Sequence, residues 1–208
     1  GPTPRLVDLV GKEAYEFEGF PSNDGEWIGA ANIGLVVHSD ATAQNAAPAI
    51  ISTYLETLIR RTEGFLRQRC SFQEIVPVPL LSQPGNFSQE LKTQGQRLVV
   101  PYIIVVMFSS QEKSGPERIG QATMMNLMGG TVIENSAMAE VGVLRLSDFK
   151  MVFLTQGLGT ESLEQLDAPI GTKLPSPTEA RDILRAQAGQ QALDRALEHV
   201  GAACQPAA

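Results

Sequence analysis

The stretch "RLVVPYIIVVMFSSQEK", residues 97–113, decides the fold. From Tyr102 to Phe108 it runs without a polar position, so a strand here has no wet face. A strand apolar on both sides belongs in the middle of a sheet that is covered on both faces, as in α/β proteins. The polar residues that follow, Ser109, Ser110, Glu112 and Lys113, then read as a loop at the carboxyl end of that strand. In α/β sheets function gathers there, so this is the first place to search for chemistry.

Working upstream, "NFSQELKTQGQRL" (86–98) reads as a short helix and "SFQEIVPVPLL" (71–81) as another strand. Pro77 and Pro79 lack the amide that a central strand must donate, which places this strand at an edge or makes it leave the sheet early. Before it, Ile50, Ile51, Tyr54, Leu55, Leu58, Ile59, Thr62, Phe65 and Leu66 fall on one helical stripe. Glu56, Arg60, Arg61, Glu63 and Arg67 occupy the solvated side of the same helix. "ANIGLVVHSD" (31–40) supplies a first strand over Ile33 to His38. Residues 1–29 carry scattered aromatics, acids and a turn cluster without a sustained period, and read as an irregular arm that Trp27 pins to the domain.

Downstream, "MMNLMGG" (124–130) leads to "AMAEVGVLRLSDFKMVFLTQGLG" (137–159). The latter reads as a hairpin of Ala137–Leu146 and Lys150–Gln156 that turns at Ser147, Asp148 and Phe149. A proline-rich connector ends in a legible helix start, with Ser176 as N-cap, Pro177 in the first turn and Glu179 completing a capping box. That helix should reach about Gly201. Ala180, Ile183, Leu184 and Gln187 define one of its faces, and Leu193, Ala196, Leu197 and Val200 another about 140° away. One straight helix cannot bury both against the same sheet, so it bends near Gly189 or its second half meets a different surface. The expected architecture is a single α/β (α+β) domain over residues 30–202, a mixed sheet with helices in two or three layers. Its order is β-α-β-α-β-β-β-α, with a tail at 203–208.

Composition narrows the function. A chain of 208 residues with 43% hydrophobic and 19% charged residues suits one globular domain, and no apolar run approaches the roughly 20 residues of a membrane helix. A net charge of -7 opposes binding to a phosphate backbone, which needs clustered Lys and Arg, so nucleic acid is not expected as a partner. Gly1 and Pro2 read as the remnant of a cleaved tag, so an original signal peptide would leave no trace. Cys70 and Cys204 lack the spacing of a zinc site. They suit either one disulfide in an oxidising compartment or two separate thiols.

The search for chemistry finds no catalytic set. The only histidines are His38 and His199; neither accompanies a nucleophile elbow, and His38 reads as a structural group at a strand end. No metal-ligand spacing, phosphate loop or dinucleotide motif is present, and "GLGTES" (157–162) follows a hairpin rather than opening a helix. No metal and no cofactor are expected. A Ser/Lys pair formed with Lys113 would need a desolvated lysine, whereas Lys113 beside Glu112 reads as solvated and protonated. Met124, Met125, Leu127 and Met128 suit either core or an adaptable contact surface. They, with Leu193 and Leu197 on the second face of the last helix, are the candidate contact residues.

The order of elements resembles the amino-terminal domain of TolB, a fold shared with the curli secretion lipoprotein and with outer-membrane lipoproteins that activate penicillin-binding proteins. The resemblance is carried by "IGLVVHSD" (33–40), the Ile50–Leu66 helix, "LKTQGQRLVVPYIIVVMF" (91–108) and "GVLRLSDFKMVFLTQG" (142–157). Residues 126–159 also look like the central segment of the rhombotarget lipoproteins. This resemblance implies a non-enzymatic periplasmic domain, held at the outer membrane by a lipid anchor and acting through contacts with other envelope proteins or with its own copies. The alternative from the residues is a small-ligand binder or hydrolase that uses His38, Ser109, Ser110 and Lys113.

Overall fold

A computed structural model describes residues 5–16, 25–40, 48–80, 86–114, 133–162 and 176–205. Five strands form one mixed sheet: β1 (Asn32–Ser39), β2 (Glu74–Pro77), β3 (Tyr102–Ser114), β4 (Ile133–Arg145) and β5 (Lys150–Ser162). Their order across the sheet is β2-β1-β3-β4-β5, so β3 is central. β1 pairs in parallel with β2 and β3, whereas β4 pairs antiparallel with both β3 and β5. The α-helices among the described residues are α1 (Leu6–Val10), α2 (Ser52–Arg69), α3 (Phe87–Leu98) and α4 (Pro177–Cys204). From β1 onward the order is the expected β-α-β-α-β-β-β-α.

The side chains of β3 explain why this strand is apolar throughout. Alternate residues of a strand point to opposite faces, and each face of β3 meets its own core. Ile104, Val106 and Phe108 pack beneath α2 and α4 with Leu58, Leu66 and Leu193. Ile103, Val105 and Met107 pack beneath α1 and α3 with Leu6, Phe87 and Leu91. The domain therefore has three layers. Residues 5–16 and 25–29 add α1 and two short 3-10 turns, and they bury Leu6, Leu9, Val10 and Ala14 on one side and Trp27 on the other.

Two readings of the sequence change in the structure. First, Ser109 to Ser114 are not a loop: β3 continues to Ser114, paired with β4 as far as Ser114↔Ile133. The run is polar because this end of the strand is wet on one face, where Gln111 and Lys113 are exposed, while Ser110 and Glu112 lie on the side covered by α4. The hairpin is correspondingly longer than expected at its open end, running from Ile133 through to Ser162. Second, Leu193 and Leu197 offer no free contact face. They are 0% and 1% exposed in the core beneath α4.

Helix α4 shows how both of its apolar faces are used. Ser176 Oγ accepts from the Glu179 amide and the Glu179 carboxylate accepts from the Ser176 amide, the expected capping box. Ala180, Leu184, Ala188, Ala192, Ala196, Val200 and Cys204 follow at spacings of four, all buried. Such a row drifts around the helix, and the drift is met by a second wall. The carboxyl half of α4 lies against α2, with Arg61 on Asp194 at 2.7 Å and a Cys70–Cys204 disulfide joining the two helix ends.

β2 is short and lies at the edge, and its pairing stops at Leu35↔Pro77, as its prolines require. At the other edge, the backbone of β5 is partly covered by α4, because Gln191 accepts from the Thr160 amide and Arg195 donates to the Leu158 carbonyl. Covering an edge in this way blocks pairing with another chain. At the turn from α3 into β3, Val99 adopts a left-handed φ of 56° with its side chain 81% exposed. A β-branched residue there costs roughly 1–2 kcal/mol, so Val99→Gly should raise stability by about 1 kcal/mol in urea unfolding. An unchanged or lower midpoint would contradict this account of the turn.

Candidate functional site

His38 lies near the carboxyl end of β1, in register with Met107 of β3. Its ring packs against Phe87 at 5.4 Å between centroids, and its Nε2 is buried without a hydrogen-bond partner. Burial holds its pKa below the ordinary histidine value, with Asp40 opposing the shift. Imidazole is therefore favoured over imidazolium in the folded state. Above the ordinary histidine pKa, near 6.5, neither state binds the proton and this contribution to stability is complete. As pH falls through 6.5 toward the lower folded value, the unfolded chain takes the proton first and stability drops. Urea unfolding at pH 7.5 and pH 5 should show this loss in the native protein and a smaller one in His38→Phe; equal slopes would sink the assignment.

The residues proposed with His38 do not converge on it. Ser109 and Ser110 are both buried, at 4% and 8% exposure, but as neighbours on one strand they face opposite sides of the sheet. Lys113 shares the face of Ser109 but lies four residues further on, about 13 Å along an extended strand. Lys113 is exposed, and the Nε2 of His38 bonds to neither serine. His199 lies on an exposed turn of α4. Met124, Met125, Leu127 and Met128 lie outside the described residues.

Sequence reading missed two polar constellations. In the first, Arg185 of α4 is only 5% exposed and is held between two carboxylates. Its Nη2 donates to Glu112 Oε1 at 2.7 Å, and its Nη1 donates to Asp182 Oδ1 at 3.1 Å. Next to it, Asn135, fully buried in β4, donates from Nδ2 to Ser110 Oγ at 3.3 Å. The adjoining cavity, between Ser39, Ile50, Phe108, Ser110 and Arg185, has a volume of only about 10 Å³, which is room for one water. This cluster anchors the first turns of α4 over the wet end of β3. The signal available in the sequence was one arginine among the small residues of a buried helical stripe.

The second constellation centres on Glu140 of β4, 3% exposed. Its Oε1 accepts from the Leu6 amide at 2.8 Å and from Arg5 Nε at 3.1 Å. The carboxylate thus caps the start of α1 and fastens the amino-terminal segment to the sheet. Burial, reinforced by the Glu140 charge, pushes the Tyr15 phenol well above its usual range. A carboxylate on a strand and an amide 134 residues earlier share no pattern along the chain.

Larger grooves also lie among the described residues. One, of about 470 Å³, runs between α2 and α4 and is lined by Arg61, Phe65, Gln68, Asp194, Leu197 and Glu198. Another, of about 450 Å³, lies beside the carboxyl half of β1, beyond the point where β2 stops, and is lined by Val36, His38, Ile59, Pro77, Val78 and Leu80. Among the described residues no three His, Cys, Asp or Glu side chains are grouped to hold a metal ion. No described helix is long and apolar enough to cross a membrane.

No protein-family model matches this chain, and no curated protein matches it. Solved structures do resemble it. The hypothetical protein CT253 of Chlamydia trachomatis superposes with a TM-score of 0.47 at 11% identity, over 84% of this chain and 98% of that one. Lipoprotein GNA1162 of Neisseria meningitidis gives a TM-score of 0.40 at 6% identity, over 66% and 88% of the two chains. A PelC dodecamer from Paraburkholderia phytofirmans gives 0.34 at 10% identity, over 76% and 85%. Thus the chain is similar in structure to a bacterial lipoprotein and a hypothetical bacterial protein, and identities this low leave its function to be argued from its own residues.

Proposed function

We propose that this chain is a non-enzymatic periplasmic domain of an outer-membrane lipoprotein that binds or assembles with other envelope proteins. The observation that carries the compartment is the buried Cys70–Cys204 disulfide, since such bonds persist in oxidising surroundings and are rare in a reducing cytosol. The assembly role is supported by what the polar side chains do. Glu112, Arg185, Glu140 and Arg5 are engaged in holding α4 and α1 to the sheet, and at the end of β3 the two serines face opposite sides while Lys113 lies exposed four residues beyond Ser109. A strand-edge contact would use the apolar groove beside the carboxyl half of β1, where β2 has stopped and an added strand could align. The distal edge of β5 is already partly covered by α4.

The test is in-cell photocrosslinking of the full-length protein with the probe at Leu80, in that groove, and at Glu56 on the outer face of α2 as control. A reproducible envelope protein captured from Leu80 alone supports the reading. Equal capture from both positions, or capture of cytosolic proteins, would overturn it. A ligand-binding role finds one supporting observation in the unpartnered His38 Nε2 beside the same groove. Under the assembly reading, joint His38→Ala and Lys113→Ala substitution leaves the crosslink in place; under the ligand reading the phenotype disappears while the crosslink is absent from the start.

A further inference from the structure

Only two non-glycine residues among those described have a left-handed backbone, Val99 (φ 56°) and Phe149 (φ 54°), and they lie at the same pole of the molecule. The α3–β3 turn and the β4–β5 turn touch there, since the Leu146 amide donates to the Pro101 carbonyl at 3.0 Å. Both positions end a turn where glycine or asparagine would serve the backbone without strain. Each instead carries a large apolar side chain. Val99 is 81% exposed, the most exposed of the large hydrophobic residues described, and Phe149 is partly exposed. Phe149 also packs against the core on the α1/α3 side, but folding alone does not account for Val99: exposed, it adds no packing, and its backbone conformation opposes folding. The pole is also cationic at close range. Lys92 Nζ sits 4.6 Å from the centre of the Phe149 ring and Arg97 precedes Val99 by two residues, while Lys150, next to Phe149, is turned to the Glu13 carbonyl at 2.8 Å. The nearest acid of the hairpin turn, Asp148, is paired with Arg145 at 2.7 Å.

We propose that this pole is a contact surface for an anionic lipid bilayer, with Val99 and the edge of Phe149 entering the headgroup layer and the exposed Lys92 and Arg97 meeting the lipid phosphates. Protruding apolar tips ringed by long cationic side chains suit a deformable interface that accepts both at once. A protein partner would instead need a pocket shaped to a single projecting valine. The net charge of -7 does not oppose this, because at about 0.1 M salt charges more than roughly 10 Å from the bilayer are screened. The inference is independent of the assembly role, since neither turn borders the groove beside β1.

The experiment is flotation of the 208-residue chain with vesicles of phosphatidylglycerol and phosphatidylethanolamine, against vesicles of phosphatidylcholine alone. Binding to the anionic vesicles that weakens with salt is expected, with little on the neutral ones. Val99→Gly should lower the bound fraction about threefold or more through the lost apolar contact, while its melting temperature holds or rises, so unfolding cannot be the cause. Joint Lys92→Glu and Arg97→Glu substitution should lower it about tenfold or more. Absence of binding to the anionic vesicles overturns the proposal, as does binding that neither variant changes. If Val99→Gly instead releases a protein crosslinked at this pole and vesicles do not bind, the surface belongs to a protein and the bilayer assignment is wrong.

Discussion

Replacing Cys70 and Cys204 together by alanine should destabilise the protein by about 3–5 kcal/mol and lower its melting temperature by roughly 10 °C. The bond spans a sequence separation of 134 residues, and closing a loop of that length removes much entropy from the unfolded chain. The chain-entropy relation sets the upper end at about 5 kcal/mol. Locally, the bond joins the carboxyl ends of α2 and α4, elements otherwise linked across their surfaces by exposed ion pairs such as Arg61–Asp194, which are worth little each. Reductant should reproduce the loss in the native protein and leave the double variant unmoved. A variant as stable as the native chain would show that core packing alone holds the two helix ends together, and would remove the main argument for an oxidising compartment.

Gly157→Ala should cost about 3 kcal/mol or more. A Cβ built on Gly157 meets the Ala192 carbonyl and comes within 2.6 Å of the Ala196 amide, and one on Gly159 meets the Ala188 carbonyl and the Ala192 amide. These are backbone atoms of α4, which cannot rotate aside as a side chain can, so the whole helix would have to lift from the sheet. Lifting it would also loosen Leu193 and Leu197 and disturb the Gln191 and Arg195 contacts to the edge of β5. The contrast is Gly64→Ala in α2, where nothing lies within 4 Å of the added methyl; helix propensity there predicts a gain of about 0.5–1 kcal/mol. Urea midpoints at a constant slope measure both. If the two substitutions move stability equally, the close approach of α4 to β5 is not what the glycines are for.

These glycines also show where sequence reading stops. Gly157 and Gly159 carry the signature of a turn, and the hairpin was expected to end before them. They belong instead to a strand whose neighbour is a helix brought close by Ala188, Ala192 and Ala196. In the same way, the serines and charges after Phe108 resemble a loop until β4 is laid beside them. Of the candidate site, the position of His38 near a strand end was legible, because only two histidines exist and one closes an apolar strand. The carboxylate ties of Arg185 and Glu140 were not, since their partners stand 73 and 135 residues away.

The sequence by itself determined the centre of the sheet, its proline-marked edge, the helical stripe of α2 and the capped start of α4. Each depends on residues within a few positions of one another, through strand alternation, helical periodicity, a missing amide or a reciprocal cap. Only the tertiary structure decided how far β3 runs, why β5 carries glycines, that Leu193 and Leu197 are core, and that Val99 and Phe149 share a pole. Those facts depend on which distant segments meet, and local pattern carries no record of the surface a side chain will face.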